Sequence, residues 1–259
     1  MKIDLYQVDA FANKKFEGNP AAVCPLSEWL PDSLMQAIAA ENNLSETAFF
    51  VKEENDYHIR WFTPTDEVNL CGHATLASAY VLFNVLGIAD TDIVFNSRSG
   101  PLPVSRIDEQ IVLNFPSQAP RPCAMPSRLS DMLGVTPLEC LQHGDLLVVL
   151  ESESRVRDLD PDFESLKSLD FRGVIVTAAA AEYDFVARFF APKVGINEDP
   201  VTGSAYTKLV PYWAQKTGKN RFHARQVSER GGELRCELKD DRVLIGGTAV
   251  LYLKGEIEV

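Results

Sequence analysis

The sequence contains one unit twice, and this internal repeat limits the possible folds more than any other feature. Residues 98–113 match residues 230–245 without a gap, and residues 57–64 match residues 183–192 after small insertions. A repeat of this kind predicts two copies of one structural unit, each with short strands around a buried helix. Residues 249–259 have no counterpart in the first copy, and we expect this last strand to return to the first domain.

Two helices are predicted to begin at corresponding places in the repeat. Gly72 and Gly203 each follow an aromatic-rich strand that ends in a proline, and each precedes an apolar run. The first helix is predicted to cover residues 72–86 and has almost no polar side, so other structure must surround it. The second is predicted over residues 203–215, with a proline that makes it less regular.

A cluster of prolines indicates where one domain ends and the next begins. Four prolines lie between residues 116 and 126, which is typical of a crossing between domains. We therefore predict a first domain over residues 1–118, joined by the strand 249–259, and a second domain over residues 119–248.

Charge and hydropathy restrict the possible partners. The formal net charge of -12 disfavours binding to nucleic acid or to an acidic membrane surface, whereas backbone N–H groups can still bind a small anionic substrate. No apolar run approaches the roughly 20 residues that span a bilayer, and the N-terminus lacks the order of a signal peptide. We expect a cytoplasmic protein. The five cysteines are widely spaced and predict neither a disulfide framework nor a structural zinc site.

The two predicted helix starts suit the binding of an anion. The first N–H groups of a helix have no partner within it and carry a partial positive charge, which favours a carboxylate or enolate oxygen. Gly72 and Gly203 would allow ligand atoms close to the backbone. Either glycine alone would fit a tight strand-to-helix turn equally well; the duplicated position favours substrate binding.

Candidate chemical groups lie near these two glycines. His73, the second residue of its helix, is expected to have a pKa lowered by burial and by the helix dipole, unless it is only a structural histidine. Asp199 and Ser204 flank the second helix start, where a capping role is the alternative. Glu46 lies in a polar break before an apolar strand, and most such glutamates are solvated loop acids.

Other chemistries fit the sequence less well. Cys71 lies at the first helix start, but residues 199–202 contain no thiol, which disfavours a racemase with two cysteines. A hydrolase triad of His73, Asp199 and Ser204 is disfavoured because the serine lacks a G-x-S-x-G elbow. The histidines are scattered without an H-E-x-x-H motif, so no metal site is predicted.

Five motifs in order along the chain carry a family resemblance. The sequence resembles the PhzF-like family of phenazine-biosynthesis isomerases at residues 18–23, 43–49, 62–64, 71–77 and 199–205. The resemblance implies an α+β protein with the diaminopimelate-epimerase-like fold. In that fold two pseudo-symmetric domains each wrap a barrel-like, mostly antiparallel sheet around a central helix, with the active site in the cleft.

The resemblance also implies an activity. It implies an isomerase without metal or cofactor, commonly a homodimer, which in phenazine-making members acts on trans-2,3-dihydro-3-hydroxyanthranilate. By motif, Glu46 would be the acid/base, His73, Asp199 and Ser204 would line the site as catalytic residues, and the substrate-binding residues would be Gly72, Gly203 and Asn19.

We therefore expect a proton to move between carbons of a small cyclic or unsaturated carboxylic acid, with Glu46 as base and then acid. The alternative is a non-catalytic protein that keeps the cleft and binds a small molecule or an interaction partner. Deuterium exchange from solvent distinguishes these two functions.

Overall fold

A computed structural model describes residues 1–88 and 90–259, and the chain divides into two compact units. Unit 1 comprises residues 1–114 and 246–259, and unit 2 comprises residues 115–245. No helix within these described residues is long and apolar enough to cross a membrane.

Short strands make up most of both units. The strands are β1 (Lys2–Ala10), β2 (Asn19–Leu26), β3 (Glu46–Glu53), β4 (Asp56–Phe62), β5 (Glu67–Val68), β6 (Asp92–Ser97), β7 (Gly100–Ile107), β8 (Gln110–Pro116), β9 (Arg121–Pro122), β10 (Glu139–His143), β11 (Asp145–Val149), β12 (Val174–Ala179), β13 (Phe185–Ala191), β14 (Ile196–Asp199), β15 (Arg221–Gln226), β16 (Gly232–Lys239), β17 (Arg242–Gly247) and β18 (Ala249–Glu258). The α-helices are α1 (Asp32–Asn42), α2 (Gly72–Tyr80), α3 (Leu129–Leu133), α4 (Glu153–Arg157), α5 (Phe163–Leu166) and α6 (Gly203–Thr217).

The strands of unit 1 form a mixed, mostly antiparallel sheet. Its order is β18, β1, β2, β3, β4, β6, β7, and β8 follows as the antiparallel neighbour of β7. The pairs β2–β3 and β4–β6 are parallel, and the other neighbours are antiparallel. Helix α1 packs through Met35 and Ile38 against apolar residues of β1, β2, β3 and β4.

Helix α2 is the central helix of unit 1. Every residue from His73 to Ala79 is buried, and the helix lies against β1, β2 and β3. Two of its polar side chains bond to backbone carbonyls four residues earlier, because the hydroxyls of Thr75 and Ser78 donate to them at 2.6 and 2.8 Å. Such bonds allow hydroxyl groups to be buried.

The predicted extent of this helix, residues 72–86, was wrong in one respect. The α-helix ends at Tyr80, and a π-helical turn over Val81–Val85 follows it. The amide of Leu86 donates to the carbonyl of Val81 at 2.9 Å, which is the wider i to i−5 spacing of a π turn. Gly87 then takes a φ of 72°, a conformation that glycine adopts readily and that ends the segment.

Unit 2 repeats the pairing pattern of unit 1. Strands β10, β11, β12, β13, β15 and β16 are neighbours in this order. The pairs β11–β12 and β13–β15 are parallel, and the remaining pairs are antiparallel. Helices α3, α4 and α5 contribute to a separate apolar cluster with these strands. Each unit therefore places two parallel pairs among antiparallel ones in the same order.

The ungapped match between residues 98–113 and 230–245 corresponds to a structural match. Strands β7 and β16 begin at Gly100 and Gly232, and the turns that follow contain Asp108 and Asp240 with φ of 54° and 53°. Aspartate tolerates this left-handed conformation better than most residues.

Helix α6 is the central helix of unit 2 and contains Pro211 without ending there. Proline lacks the N–H that would bond to the carbonyl of Thr207, and this carbonyl instead accepts from the amide of Gln118 at 2.9 Å. The freed acceptor is thus satisfied, which removes part of the usual cost of an internal proline. The helix ends at Thr217, two residues beyond the predicted end, and Gly218 caps it with a φ of 74°.

Strand β18 and helix α5 complete the description of the fold. Strand β18 pairs antiparallel with β1 along its whole length, with an irregularity between Gln7 and Val8. Helix α5 begins at Phe163, and Asp162 caps it by accepting from the amide of Ser165 at 3.0 Å.

Candidate active site

Glu46 and His73 lie together in unit 1, although they come from different elements. Glu46 is the first residue of β3, and His73 is the second residue of α2. Nε2 of the histidine lies 3.2 Å from Oε2 of the glutamate, whose side chain is 13% exposed. That oxygen is buried, and among the described residues it has no hydrogen-bond donor with suitable alignment. The imidazole beside it thus holds the carboxylate in place, as a general acid/base requires.

The surroundings of His73 favour its protonated form. Burial disfavours the imidazolium ion, but the Glu46 carboxylate and the hydrogen-bonding contact with the Cys71 sulfur favour it and raise the pKa of His73 well above its ordinary value. The expectation of a lowered pKa was therefore wrong. It considered burial and the helix dipole without the carboxylate that folding brings to 3.2 Å.

Asn19 and Cys71 contact the other ring nitrogen of His73. The side-chain amide of Asn19 lies 3.2 Å from Nδ1, and the sulfur of Cys71 lies 3.4 Å from it. Burial raises the pKa of Cys71 to about 11, and the Glu46 carboxylate acts in the same direction. The thiol is therefore protonated at neutral pH, while the amide and the thiol fix the plane of the imidazole.

Glu46, Cys71 and His73 also form a group of possible metal ligands. Each offers one ligand atom, and these atoms lie within 4.8 Å of one another. The spacing of histidines and cysteines in the sequence does not reveal this group, because its members come from β3 and from the start of α2. A metal would require a deprotonated Cys71, which the raised pKa opposes, and would compete with the contact between His73 and Glu46.

Asp199 is fixed in unit 2 at the end of β14. The residue is buried, and its carboxylate accepts from the hydroxyl of Thr202 at 2.5 Å. Gln226 connects the same segment, because its Nε2 donates to the carbonyl of Asp199 at 2.7 Å and its Oε1 accepts from the amide of Thr202 at 2.9 Å. The fully buried Gln226 was not predicted. Its signal in sequence is slight, since it lies within an ordinary alternating strand.

Ser204 follows Gly203 at the start of α6, and unit 2 surrounds it with charged groups that sequence analysis did not identify. Its hydroxyl accepts from Nη2 of Arg172 at 3.2 Å, and its carbonyl accepts from Nζ of Lys208 at 3.2 Å. Asp145 binds both of these cations. Asp145 and Arg172 lie far apart in sequence and have no motif, so only the fold brings them to Ser204.

The predicted site residues thus form two groups. Asn19, Gly72, His73 and Glu46 lie in unit 1 around the start of α2. Asp199, Gly203 and Ser204 lie in unit 2 around the start of α6. Each group combines the N-terminus of a central helix with at least one acidic or hydroxyl side chain.

Comparison with known proteins identifies the family. The family model described as phenazine biosynthesis-like protein matches residues 8–255, which is nearly the whole chain. The chain belongs to the PhzF family.

Relatives within the PhzF family are similar over their full length. An uncharacterized isomerase of Pseudomonas aeruginosa is 52% identical, with 100% of each chain covered. The crystal structure of a PhzF-family protein of Enterococcus faecalis is 50% identical and superposes with a TM-score of 0.98, again with 100% of both chains covered. A predicted epimerase of Pseudomonas aeruginosa shares the fold, at 20% identity and a TM-score of 0.74 over 99% of each chain.

These findings confirm the predicted family and the α+β, diaminopimelate-epimerase-like fold class. They also confirm the predicted enzyme class, an isomerase, because close PhzF-family relatives are named isomerases.

Proposed function

We propose that this PhzF-family protein moves a proton between two carbons of a small cyclic or unsaturated carboxylic acid, with Glu46 as the acid/base. The observation that carries the proposal is the largely buried Glu46 carboxylate, which has an oxygen 3.2 Å from Nε2 of His73 at the start of α2. Abstraction of a proton from carbon needs a base next to the C–H bond and donors where negative charge develops.

In the proposed reaction Glu46 takes the proton from the first carbon, and the electron pair of the broken C–H bond shifts into the conjugated system of the substrate. The same carboxyl group then returns the proton to a second carbon, so that acid and base are regenerated in one cycle. His73 stays beside the carboxylate and stabilises its charged form, while its own plane is held by Asn19 and Cys71.

The residues of unit 2 have a complementary role in this proposal. The N–H groups at Gly203 and Ser204 lie at the start of a 15-residue helix, where a negatively charged oxygen is stabilised. Asp199, held by Thr202 and Gln226, would bind a polar substituent of the substrate. The N–H groups at Gly72 would contribute in the same way at α2.

The experiment measures deuterium entering the substrate from D₂O, followed by mass spectrometry or proton NMR. Candidate substrates are cyclic dienoic acids, beginning with trans-2,3-dihydro-3-hydroxyanthranilate. We expect exchange with the wild-type protein and a loss of roughly 10²-fold or more with Glu46→Gln, since this is the usual contribution of a general base.

Glu53→Gln is the matched control. Glu53 is the last residue of the same strand and also lies beside a histidine, His58, at 3.4 Å, but its side chain is 48% exposed. The control removes the same charge and should keep the full exchange rate. Undiminished exchange in the Glu46→Gln protein, or tight binding of these acids without any exchange, would show that the proposal is wrong.

A further inference from the structure

Arg172 occupies a position in unit 2 that the proposed reaction does not use. It lies just before β12, and its Nη2 donates to the hydroxyl of Ser204 at 3.2 Å. The side chain is 50% exposed, although its main ion-pair partner is 1% exposed. One end of the guanidinium group is therefore buried and the other is accessible.

The guanidinium group of Arg172 is held by a carboxylate and by an aromatic ring. Its Nε and Nη2 donate to the two carboxylate oxygens of Asp145 at 2.9 and 2.7 Å. Its Cζ lies over the ring of Phe189, 5.3 Å from the ring centroid. Bidentate pairing combined with an aromatic face fixes an arginine in one orientation.

Gly173 makes room for this aromatic face. A Cβ atom at position 173 would lie 2.4 Å from Cζ of Phe189, which is closer than real contacts allow. Because residue 173 is a glycine, the ring of Phe189 can lie close to the backbone beside Arg172. The local sequence Arg172-Gly173 thus supports a defined position of the arginine.

Arg172 is not the sole cationic partner of Asp145. Asp145 also lies 3.3 Å from Nζ of Lys208, whose side chain is 5% exposed. One carboxylate thus serves two cations, and the buried lysine alone would balance it. Asp199 is a further acid whose charge acts on Arg172. Arg172 thus interacts with two acids, Asp145 and Asp199. Lys208 is a second cation beside Asp145.

Hydrogen bonding indicates what the exposed end can bind. The hydrogen bonds of Arg172 to Asp145 and Ser204 use Nε and Nη2, so they leave the N–H groups of Nη1 outside this set. Ser204 accepts a hydrogen bond from Nη2, so its own hydroxyl proton remains available for donation. The hydroxyl of Ser204 lies 3.2 Å from Nη2 of Arg172, and Ser204 is the second residue of α6. The guanidinium group, the hydroxyl and the first N–H groups of the helix are all donors that suit an acceptor with negative charge.

We propose that Arg172 binds the carboxylate group of the substrate together with the hydroxyl of Ser204, and that Asp145 and Lys208 position the guanidinium group. This inference rests on the proposed function, since it specifies how the same site recognises an acid. It makes Arg172 a specificity-determining residue that selects carboxylates over neutral analogues.

The test compares two ligands by isothermal titration calorimetry, 3-hydroxyanthranilate and its neutral carboxamide. The wild-type protein should prefer the acid by roughly tenfold or more, as expected for loss of a charged hydrogen bond in the amide. Arg172→Met should reduce this preference to within about twofold, again by the loss of that bond. Arg172→Lys should keep part of it, because lysine retains the charge without the fork.

The matched control is Arg221→Met, which removes the same charge from a 77% exposed side chain of unit 2 and should keep the full preference. If Arg172→Met does not fold, Ser204→Ala and Arg172→Lys supply the same comparison, and each should reduce the preference for the acid. An unchanged preference in these variants, or a wild-type protein that does not prefer the acid, overturns the inference. Binding needs no turnover, so a failure of the deuterium-exchange assay is a separate result.

Discussion

Nε2 of His73 lies 3.2 Å from Oε2 of Glu46, and both side chains are largely buried. The first residue of a strand and the second residue of the central helix meet here, 27 positions apart in sequence. A carboxylate so close to an imidazole stabilises the protonated ring. The helix N-terminus has the opposite effect, and the ion pair outweighs it because its charges are whole and its distance is short.

The pH dependence of stability should report this pair. The pKa of His73 is higher in the folded than in the unfolded chain, so the folded state binds this proton more tightly. The resulting stabilisation is fully present below about pH 6.5, the ordinary pKa of histidine, and is lost as pH rises through the folded pKa. We expect the difference in unfolding free energy between wild type and His73→Gln to fall as pH rises above 6.5, by about 1.4 kcal/mol for each tenfold increase in proton affinity.

Urea unfolding at a series of pH values measures this difference. The control is the same comparison in the Glu46→Gln background, where the carboxylate charge is absent and the dependence on pH should be much weaker. A difference that stays constant or rises above pH 6.5 would mean that His73 is not protonated preferentially in the folded protein.

Cys71 should react slowly in the folded protein despite its position at a helix start. Its pKa of about 11 leaves on the order of a hundredfold less thiolate at pH 8 than an ordinary cysteine has. Cys123 is half-buried, whereas the other cysteines are buried. We expect iodoacetamide to modify Cys123 first and Cys71 only after unfolding in urea, as followed by peptide mass mapping. Rapid native labelling of Cys71 would instead indicate a reactive thiolate and favour thiol chemistry.

Gly173→Ala should destabilise unit 2 through the ring beneath Arg172. The added Cβ would lie 2.4 Å from Cζ of Phe189, and such overpacking typically costs about 1–3 kcal/mol. The double variant Gly173→Ala/Phe189→Leu should recover part of this loss, because the colliding ring is absent. Gly255→Ala is the control: its nearest contact would be at 3.7 Å, and a change within about 0.5 kcal/mol is expected. Thermal and urea unfolding measure all three proteins.

Sequence predicted those features that depend on local pattern. The repeat, the last strand and the starts of α2 and α6 follow from repeated segments, aromatic strands and glycines, which are local features of the sequence. The ends of the helices were less predictable. The π turn after Tyr80 was not predicted, and α6 ends at Thr217, two residues beyond the predicted end. The helix was correctly predicted to continue past Pro211, but the amide of Gln118 that satisfies the carbonyl of Thr207 was not predicted.

The candidate site was predicted to the extent that its residues lie in motifs. Glu46, His73, Asp199 and Ser204 came from motifs and family resemblance. The pKa of His73 could not be predicted correctly, because its sign depends on a distance between two elements. Arg172, Asp145 and Lys208 have no motif, and a buried charge cluster is recognisable only once the fold brings its members together.

Asp145 and Lys208 allow the last prediction, a double-mutant cycle on a buried ion pair. Their atoms lie 3.3 Å apart with side chains 1% and 5% exposed. Asp145→Asn should cost about 3–5 kcal/mol of unfolding free energy, because it leaves a buried ammonium group without its counter-charge. Lys208→Met should cost less, since Asp145 keeps its bidentate bonds to Arg172. The double variant should be more stable than the sum of the two losses predicts, by at least about 1 kcal/mol, because removal of the lysine also removes the unpaired buried charge. Urea unfolding at pH 7 measures the four proteins, and strictly additive losses would show that Asp145 and Lys208 do not interact.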